Sequence, residues 1–331
     1  MYTGVKGDST SSRILVVRLG AMGDIIHALP AVASLKHSFP GSHLTWAVEP
    51  QWAALLDQNP FIDRLVRLRR NPAGWLESSR ELRADRYDFA VDFQGLIKSA
   101  LVASVARPDR IFGFHQSQAR ERLAALFYSN KTISSAAHVV DRNLDLAAAA
   151  GASSVLRSFP LPPGKPEGRL PEGEFVLASP LAGWRSKQWP LDYYRQLGEH
   201  LHRGLGIPLV LDGPHQALSM LAEVPGVVAN ATGIAGLIHA TRRAAAVVGV
   251  DSGPLHLAAA LGKPGVAIYG PTDPARNGPY GDTISVLRSP KAVTTYKRLA
   301  NIDASMCEIS PEAVFLALKA HLIPRAAGCS A

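Results

Sequence analysis

The chain has 331 residues, of which 47% are hydrophobic and 19% charged, so it can bury the cores of two domains and is not a largely disordered protein. Its apolar stretches are interrupted by Arg, His, Gly or Pro before they reach membrane-spanning length, which predicts no transmembrane helix. The net charge of +8 indicates an anionic partner without identifying it, and no nucleic-acid motif or aromatic-interleaved basic stripe accompanies it.

The two ends of the chain and its two cysteines bear on compartment. Residues 1–12 are polar and lack the apolar core of a signal peptide, so they are expected to be a flexible lead-in to a cytoplasmic protein. Cys307 and Cys329 form neither a disulfide framework nor a metal-ligand spacing, and Cys329 falls in an expected frayed tail, 324–331. This pattern favours a reducing compartment.

Strands and helices are predicted to alternate through the first half of the chain. The predicted strands are apolar and β-branched, over residues 13–19, 44–48, 64–68, 89–92 and 110–114. The predicted helices cover residues 25–38, 51–56, 75–84, 97–106 and 138–150. The alternation is typical of a parallel sheet covered by helices, which we place in an N-terminal domain of residues 13–158.

The alternation restarts after a Pro-rich stretch, which we interpret as a linker over residues 159–172. Further strands are predicted over residues 175–179, 208–211, 227–228, 246–250 and 265–269. Further helices are predicted over residues 191–203, 217–223, 234–243 and 255–261. This predicts a second α/β domain over 173–310 and a closing helix over 311–323. Two Rossmann-like domains joined by a linker predict a ligand cleft between them.

The common nucleotide motifs are missing from the turn after the first strand. This turn has the spacing Gly20-x-x-Gly23 rather than G-x-G-x-x-G, and Glu49 is the nearest acid to the ribose position at the end of the second strand. A Walker A motif is also absent. These observations disfavour a nicotinamide dehydrogenase and a P-loop nucleotidase.

The segment from residue 244 to 262 predicts an anion site. An apolar strand ends at Asp251, a turn of small residues follows, and the next residues have helical composition. The N–H groups at a helix start carry positive partial charge at the carboxyl edge of the sheet, where ligands bind in open α/β folds. Asp251, Ser252 and His256 have the polar groups to bind a sugar phosphate. A loop-lining Asp and a core His would give the same pattern, so the residues alone leave both readings open.

Three segments together resemble family 9 of the glycosyltransferases, the ADP-heptose:lipopolysaccharide heptosyltransferases. They are residues 18–30 (RLGAMGDIIHALP), residues 183–190 (GWRSKQWP), and residues 249–274, which begin GVDSGPLH and end YGPTDP. Two further stretches resemble the heptosyltransferase I branch, 92–100 (DFQGLIKSA) and 118–128 (QARERLAALFY). The resemblance covers nearly the whole chain.

This resemblance implies a GT-B fold, with the acceptor held by the N-terminal domain and the ADP-sugar by the C-terminal domain. The implied reaction moves heptose with inversion from ADP-heptose to Kdo of Kdo2-lipid A, at the cytoplasmic face of the inner membrane. The enzyme would be peripheral on that membrane, and neither a nucleic-acid partner nor a cofactor is implied. The sequence also has no DxD-type acidic pair to share a metal with a diphosphate, so no metal is expected.

Roles for individual residues follow from the matched motifs. Asp24 matches the catalytic base, although Asp also suits a helix N-cap. Lys187 resembles the lysine that binds donor phosphate, and a surface lysine beside a Trp-Pro turn is the alternative. Asp251 matches the residue that holds sugar hydroxyls, and the N–H groups of Ser252 and Gly253 match the phosphate cradle. Whether His256 touches phosphate or braces the turn stays open.

Acceptor contacts are expected on the basic N-terminal half of the chain. Lys98 and Arg120 are expected to face phosphates or Kdo carboxylates. The other acceptor candidates are Gly23, Gln94, Arg64 and Arg67. For the arginines at 64, 67, 69 and 70, a solvated surface is an equal alternative.

Two departures from the family pattern concern donor binding. Hydroxyl residues often precede the lysine motif, whereas this chain has Ala182 and Gly183, so phosphate contact there would come from backbone N–H groups. Many members carry a glutamate for the ribose hydroxyls, and Gln216 is the nearest match here. An amide hydrogen-bonds a diol without contributing charge.

Alternative functions remain at this point. The chain could use another ADP-sugar or the acceptor of a heptosyltransferase II. From a different class, it could be a non-catalytic nucleotide- or nucleic-acid-binding module whose basic face is its function. Salt-dependent retention on DNA without sugar transfer would favour that module.

Overall fold

A computed structural model describes residues 11–295 and 297–323. These residues exclude most of the predicted N-terminal lead-in and the predicted tail 324–331, which contains Cys329. Within them, no helix combines the length and apolar character that crossing a bilayer requires.

The first half of the chain forms a six-stranded parallel sheet with the order β3-β2-β1-β4-β5-β6. Its strands are β1 (Arg13–Val17), β2 (His43–Val48), β3 (Arg64–Arg67), β4 (Phe89–Asp92), β5 (Arg110–Phe114) and β6 (Asn130–Thr132). In the central strand, Val16 pairs with Trp46 on one side and Val91 on the other. All three residues are fully buried, which explains the apolar runs of these strands.

Four helices connect or follow these strands: α1 (Met22–Ser38), α2 (Pro72–Arg83), α3 (Ile97–Val105) and α4 (Val139–Ala149). The α2 helix begins earlier than predicted because the Asn71 side chain caps it by accepting a hydrogen bond from Gly74 N at 2.7 Å. The helix predicted over residues 51–56 is instead a 3₁₀ turn, Pro50–Leu55. Both the 3₁₀ turn Arg122–Phe127 and strand β6 were absent from the prediction.

The second half repeats the same topology. Its strands are β7 (Val176–Ser179), β8 (Leu209–Gly213), β9 (Val228–Ala231), β10 (Ala246–Val250), β11 (Gly265–Tyr269) and β12 (Ile284–Arg288). They pair in parallel in the order β12-β11-β10-β7-β8-β9. Counted within each half, both sheets therefore have the strand order 3-2-1-4-5-6 of a Rossmann fold.

The helices of this half are α5 (Leu191–Leu205), α6 (Leu218–Ala222), α7 (Ile234–Arg243), α8 (Gly253–Ala260), α9 (Pro274–Asn277), α10 (Ala304–Cys307) and α11 (Pro311–Leu322). The closing helix α11 packs on α5. The buried side chain of Trp189 holds the segment just before α11 in place, since the indole N–H donates a hydrogen bond to the Ile309 carbonyl at 2.9 Å. Strand β12 and helices α9 and α10 were not predicted.

The described residues divide into two compact units. The first contains residues up to Gly20, Ala28–Ala136 and Asp141–Ser158, and the second contains Ala21–His27, Ala137–Val140 and the chain from Phe159 onward. The long C-terminal part of the second unit begins where the linker was expected, but the unit also takes the start of α1 and the first two residues of α4. This grouping differs from the expected domain of residues 13–158.

The Pro-rich stretch expected as a linker is packed against α7. The Glu167 carboxylate accepts a hydrogen bond from Gly233 N at 2.7 Å at the start of this helix, and Lys165 N donates to the Ala235 carbonyl at 3.0 Å. At Gly164 the backbone has φ of +79°, and a β-carbon there would lie 2.5 Å from His239 N. Only glycine fits this close approach.

Candidate functional site

The turn between β10 and α8 lies at the carboxyl edge of the second sheet. Ser252 has extended backbone angles at the N-cap, and its side chain makes no capping bond to the helix. Pro254, which lacks an N–H, stands in the first turn, where the missing donor costs nothing. Gly249 lets α8 lie back on β10, because a β-carbon there would be 3.0 Å from that of Leu255. The helix therefore starts with backbone N–H groups that no capping side chain binds.

Asp251, the residue after β10, is a buried carboxylate with three side-chain partners. Its Oδ2 lies 2.6 Å from Lys187 Nζ, and its Oδ1 lies 3.4 Å from His256 Nε2 and 3.2 Å from Asn277 Nδ2. Burial alone would raise the pKa of Asp251, but the contacts with His256 and Lys187 outweigh burial and hold this pKa well below its ordinary value. Asp251 is therefore charged and oriented before any ligand binds.

Lys187 ends a short 3₁₀ turn, Arg185–Lys187, and is not a surface lysine, since its side chain is only 15% exposed. Its Nζ lies 4.4 Å from the centre of the Trp184 ring, and the Arg298 guanidinium lies 5.3 Å from the same ring. Trp184 thus holds two cations by cation–π contact, and one of them, Lys187, reaches Asp251. Sequence reasoning missed both Arg298 and the role of Trp184.

Two buried hydroxyls beside this turn have no hydrogen-bond partner in the described part of the chain. They are Ser252 Oγ and Thr272 Oγ1. Thr272 follows β11, which pairs with β10, and it is 2% exposed. Buried hydroxyls without partners are uncommon in folded proteins, and they provide hydrogen-bond capacity for a ligand.

The two other predicted donor residues, Gly183 and Gln216, are exposed on their own loops in the second unit. Gly183 precedes the Lys187 turn, and no heavy atom lies within 4 Å of the position of an added β-carbon. Gln216 stands in the 3₁₀ turn after β8. The nearby Asp212 is buried and accepts hydrogen bonds from Asn230 and Thr232, and burial raises its pKa to about 6. Gln216 and its neighbour His215 are the exposed polar residues of that 3₁₀ turn.

Asp24 lies in the first turn of α1, within the segment Ala21–His27 that belongs to the second unit. Its Oδ2 accepts a hydrogen bond from Ala21 N at 3.3 Å, and the side chain is partly exposed. At the neighbouring Gly23 an added β-carbon would overlap the His256 ring. The segment that carries Asp24 therefore packs closely on α8, and Gly23 permits this approach.

A second polar cluster lies at the carboxyl edge of the first sheet, around Glu49. This carboxylate follows β2 and is 5% exposed. Arg70 donates to both of its oxygens, at 3.1 and 2.8 Å, and Lys98 Nζ lies 3.1 Å from Oε1. Burial alone would raise the pKa of Glu49, but the hydrogen bonds from Arg70 and Lys98 lower it below the ordinary value. The predicted acceptor residue Lys98 is thus held in place by a buried anion.

The loop between β4 and α3 is fixed by Asp92, a fully buried carboxylate. Asp92 accepts hydrogen bonds from Ser99 Oγ and Tyr128 Oη, both at 2.7 Å, and from Gln94 N at 2.8 Å. Burial raises the pKa of Asp92 and of Tyr128. The predicted residue Gln94 accepts a hydrogen bond from Leu19 N at 2.7 Å through its amide oxygen, which joins this loop to the end of β1.

Arg120 stands beside the same loop, on an exposed segment. Its neighbour Glu121 donates from its backbone N to the Gly95 carbonyl at 2.9 Å and accepts from Ile97 N at 2.7 Å. Gly95, with φ of +67°, allows the close approach of Arg120 N, which would lie 3.2 Å from an added β-carbon. The structure therefore brings Gln94, Lys98 and Arg120 to one group of connected loops.

The two remaining acceptor candidates lie at opposite ends of β3. Arg67 is exposed at its carboxyl end. Arg64 is at its amino end, where it pairs with Glu81 at 2.9 Å and with Asp85. Because ligands bind at the carboxyl edge of such sheets, Arg64 is not brought together with the other candidates and serves as an ion-pair residue.

Comparison with known protein families tests the resemblance seen in the motifs. The model of glycosyltransferase family 9 (heptosyltransferase) matches residues 75–302, about two thirds of the chain. The chain belongs to glycosyltransferase family 9. The matched region includes Lys98, Arg120, Lys187 and the Asp251 turn, whereas Asp24 precedes it.

Curated relatives and solved structures of this family extend over most of the chain. Lipopolysaccharide heptosyltransferase 1 of Escherichia coli K12 is 32% identical, covering 84% of this chain and 94% of that protein. Lipopolysaccharide heptosyltransferase 1 of Pseudomonas aeruginosa is 30% identical, covering 81% of each. The solved structure of the E. coli heptosyltransferase WaaC with ADP superposes with a TM-score of 0.76 at 27% identity, covering 93% of this chain and 99% of that one.

This family 9 glycosyltransferase has the GT-B fold class that the sequence predicted, with two Rossmann-like sheets. Over residues 11–295 and 297–323, no three His, Cys, Asp or Glu side chains are grouped as metal ligands. At the Asp251 turn, Lys187 of the protein itself places a cation 2.6 Å from the carboxylate.

Proposed function

We propose that this glycosyltransferase transfers heptose, with inversion, from ADP-heptose to Kdo of Kdo2-lipid A in the assembly of the lipopolysaccharide inner core. The observation that carries the proposal is the buried Lys187–Asp251 pair at the start of α8, where a cation, a charged carboxylate and helix N–H groups meet. Family membership supports this reading, as do relatives named heptosyltransferase 1 and a similar structure that holds ADP.

The donor diphosphate binds where positive charge is concentrated. Lys187 and the N–H groups of Ser252 and Gly253 bind its oxygens and neutralise the charge that develops as ADP leaves. A helix N-terminus contributes about 0.3–1 kcal/mol to such binding, and up to about 2 kcal/mol when partly buried. Gly183 adds a backbone N–H. His256 keeps Asp251 oriented and lies within reach of phosphate.

The sugar and the ribose bind on either side of the diphosphate. Asp251 accepts hydrogen bonds from heptose hydroxyls, because its low pKa keeps it an acceptor at neutral pH. Gln216 binds the ribose diol through its amide. Neither of these two contacts neutralises the charge of the diphosphate.

The transfer is a single displacement at the anomeric carbon. The acceptor oxygen forms the new C–O bond as the bond to the diphosphate oxygen breaks, and the electron pair of that bond leaves with ADP. Asp24 accepts the proton of the acceptor hydroxyl as the new bond forms. A positioned base of this kind contributes about 10²–10⁴-fold to the rate.

The acceptor binds the connected loops of the first unit. Lys98, Arg120 and Arg67 face its carboxylates and phosphates, and the Gln94 amide hydrogen-bonds a sugar hydroxyl. Because the acceptor is a glycolipid, the enzyme works as a peripheral protein at the cytoplasmic face of the inner membrane.

The proposal is tested by a donor-by-acceptor assay with the purified protein. ADP-heptose, ADP-glucose and ADP-mannose are each paired with Kdo2-lipid A and with an acceptor that already carries one heptose. We expect transfer only from ADP-heptose and only to the unheptosylated acceptor. Transfer only to the heptosylated acceptor would instead identify a heptosyltransferase 2-type enzyme, and ADP retention without any transfer would identify a binding module.

Chelation of divalent metals should leave the reaction rate unchanged. The reason is that Lys187 and the helix N–H groups carry the role that a metal ion plays in metal-dependent transferases. The measurement is the initial rate in excess EDTA, with a metal-dependent glycosyltransferase as a positive control for chelation. Complete loss of activity that Mg²⁺ or Mn²⁺ restores would contradict the prediction.

Replacing Lys98 and Arg120 together by Ala should raise the acceptor KM by about tenfold or more, since each loses a charge-assisted hydrogen bond. The donor KM should stay nearly constant. The matched control is Arg64→Ala, which removes an arginine from the opposite edge of the same sheet and should leave both constants unchanged. Added salt should weaken acceptor use more in the wild type than in the double variant. A change confined to the donor KM would show that the acceptor does not bind these loops.

A further inference from the structure

The 3₁₀ turn Arg122–Phe127 exposes two large apolar side chains. Leu126 is 75% exposed and Leu123 is 60% exposed, more than any other leucine in the part of the chain that the structure describes. Between them, Ala124 and Ala125 are buried against the first unit. The turn is therefore amphipathic, with its larger apolar residues on the outside.

Helix geometry places these two leucines on one face. A 3₁₀ helix has three residues per turn, so residues three apart lie directly above one another. Leu123 and Leu126 have this spacing and point outward together. Single exposed apolar residues are normal on protein surfaces, whereas two leucines on one face form a larger contiguous apolar area.

Charge around the turn is basic. Arg120 and Arg122 precede Leu123 and are exposed, and Lys131 is exposed on the short edge strand β6 that follows the turn. The one acidic residue in this segment, Glu121, directs its carboxylate to Ile97 N at the start of α3. Surfaces that bind anionic bilayers combine apolar side chains with flanking cations, as this turn does.

The turn also adjoins the loops assigned to the acceptor. Glu121, which precedes the turn, is hydrogen-bonded to Gly95 of the β4–α3 loop and to Ile97 at the start of α3, next to Lys98. A surface that binds the bilayer here would hold those loops at the level of the lipid headgroups.

We propose that Leu123 and Leu126, together with Arg120 and Arg122, form the surface by which this protein binds an anionic lipid bilayer. The leucines enter the boundary between headgroups and acyl chains, and the arginines contact lipid phosphates. The inference rests on the proposed function in one respect, namely that the acceptor is a glycolipid in that bilayer.

The first experiment measures binding to vesicles that contain no acceptor, so its result does not depend on sugar transfer. Wild-type protein should sediment with vesicles of phosphatidylglycerol and phosphatidylcholine but weakly with phosphatidylcholine alone. Leu123→Ser/Leu126→Ser should weaken binding to the anionic vesicles by about tenfold or more, because the variant lacks the two apolar side chains that leave water on binding. Arg122→Gln should weaken binding less and reduce its salt dependence.

The matched control is Leu316→Ser. Leu316 is 57% exposed on α11 in the second unit, so its replacement removes a similar apolar area from a different surface. Vesicle binding of this variant should equal that of the wild type. Thermal unfolding of all variants checks that the replacements leave the fold intact.

A second readout separates membrane binding from acceptor binding. With a deacylated, water-soluble acceptor, the double leucine variant should transfer sugar at the wild-type rate, whereas with acceptor in vesicles its rate should fall. Loss of activity with the soluble acceptor would overturn the proposal, because the leucines would then support the acceptor site itself. Unchanged vesicle binding, or a wild-type dimer that the double variant dissociates, would overturn it as well.

Discussion

Asp24→Asn should lower kcat by at least about a hundredfold while the affinity for ADP-heptose stays within a few-fold of the wild type. Asparagine has nearly the same shape as aspartate, and its amide oxygen can still accept the hydrogen bond from Ala21 N that the Asp24 carboxylate accepts at 3.3 Å. The first turn of α1 therefore stays formed, and the change removes the proton acceptor. Steady-state kinetics together with calorimetric titration of ADP-heptose measure the two effects separately.

The control for this variant is Asp192→Asn. Asp192 stands in the first turn of α5 and is exposed, where it binds Arg195 and Gln196. It matches Asp24 in its position on a helix but has no part in the proposed chemistry, so kcat should not change. A normal turnover number for Asp24→Asn would show that another group takes the proton.

The central strands of both sheets could be predicted from sequence because burial on both faces leaves an uninterrupted apolar run. Strands β4, β5, β10 and β11 have the predicted bounds for this reason. Two of the four edge strands, β6 and β12, were missed, whereas the edge strands β3 and β9 were predicted. Strand β6 has only three residues and none of them is buried, and β12 is partly exposed along its length. An edge strand has one neighbour and needs no continuous apolar pattern, so local sequence gives little signal for it.

The polar clusters were only partly predictable. The turn at Asp251 follows a buried strand directly, so the local sequence identified it. Asn277, which binds Asp251, is 26 residues further along the chain and reaches it only because β11 pairs with β10. Its contact depends on the sheet topology and not on any local pattern.

The role expected for Glu49 from the sequence differs from the contacts that it makes in the structure. In the sequence it was the nearest candidate for an acid that binds a dinucleotide ribose. In the structure Arg70 and Lys98 occupy both of its oxygens. These contacts hold both cations in position at the carboxyl edge of the first sheet.

Lys187→Met should abolish most of the donor binding and should also destabilise the fold. The lysine side chain is 15% exposed and its partner Asp251 only 4%, so the replacement leaves a buried carboxylate without its closest cation. Removing one partner of a buried pair costs about 3–5 kcal/mol, and the remaining His256 and Asn277 contacts make the lower part of this range our expectation. Thermal unfolding measures this cost, and Lys291→Met, from the exposed pair with Glu308, should leave the melting temperature nearly unchanged.

The double variant Lys187→Met/Asp251→Asn separates the structural role of the pair from its role in binding. Neutralising Asp251 removes the unpaired charge, so the melting temperature should recover most of the loss seen in Lys187→Met. The donor KM should not recover, because the diphosphate still lacks its contact with the lysine and the heptose hydroxyls lack their contact with the carboxylate. We expect kcat/KM for ADP-heptose to remain lower than in the wild type by about a hundredfold or more. Measuring stability and donor kinetics on the same four proteins, wild type, both single variants and the double variant, completes a thermodynamic cycle. Recovery of activity together with stability would mean that Lys187 only balances the charge of Asp251, and the donor phosphate would then have to bind elsewhere.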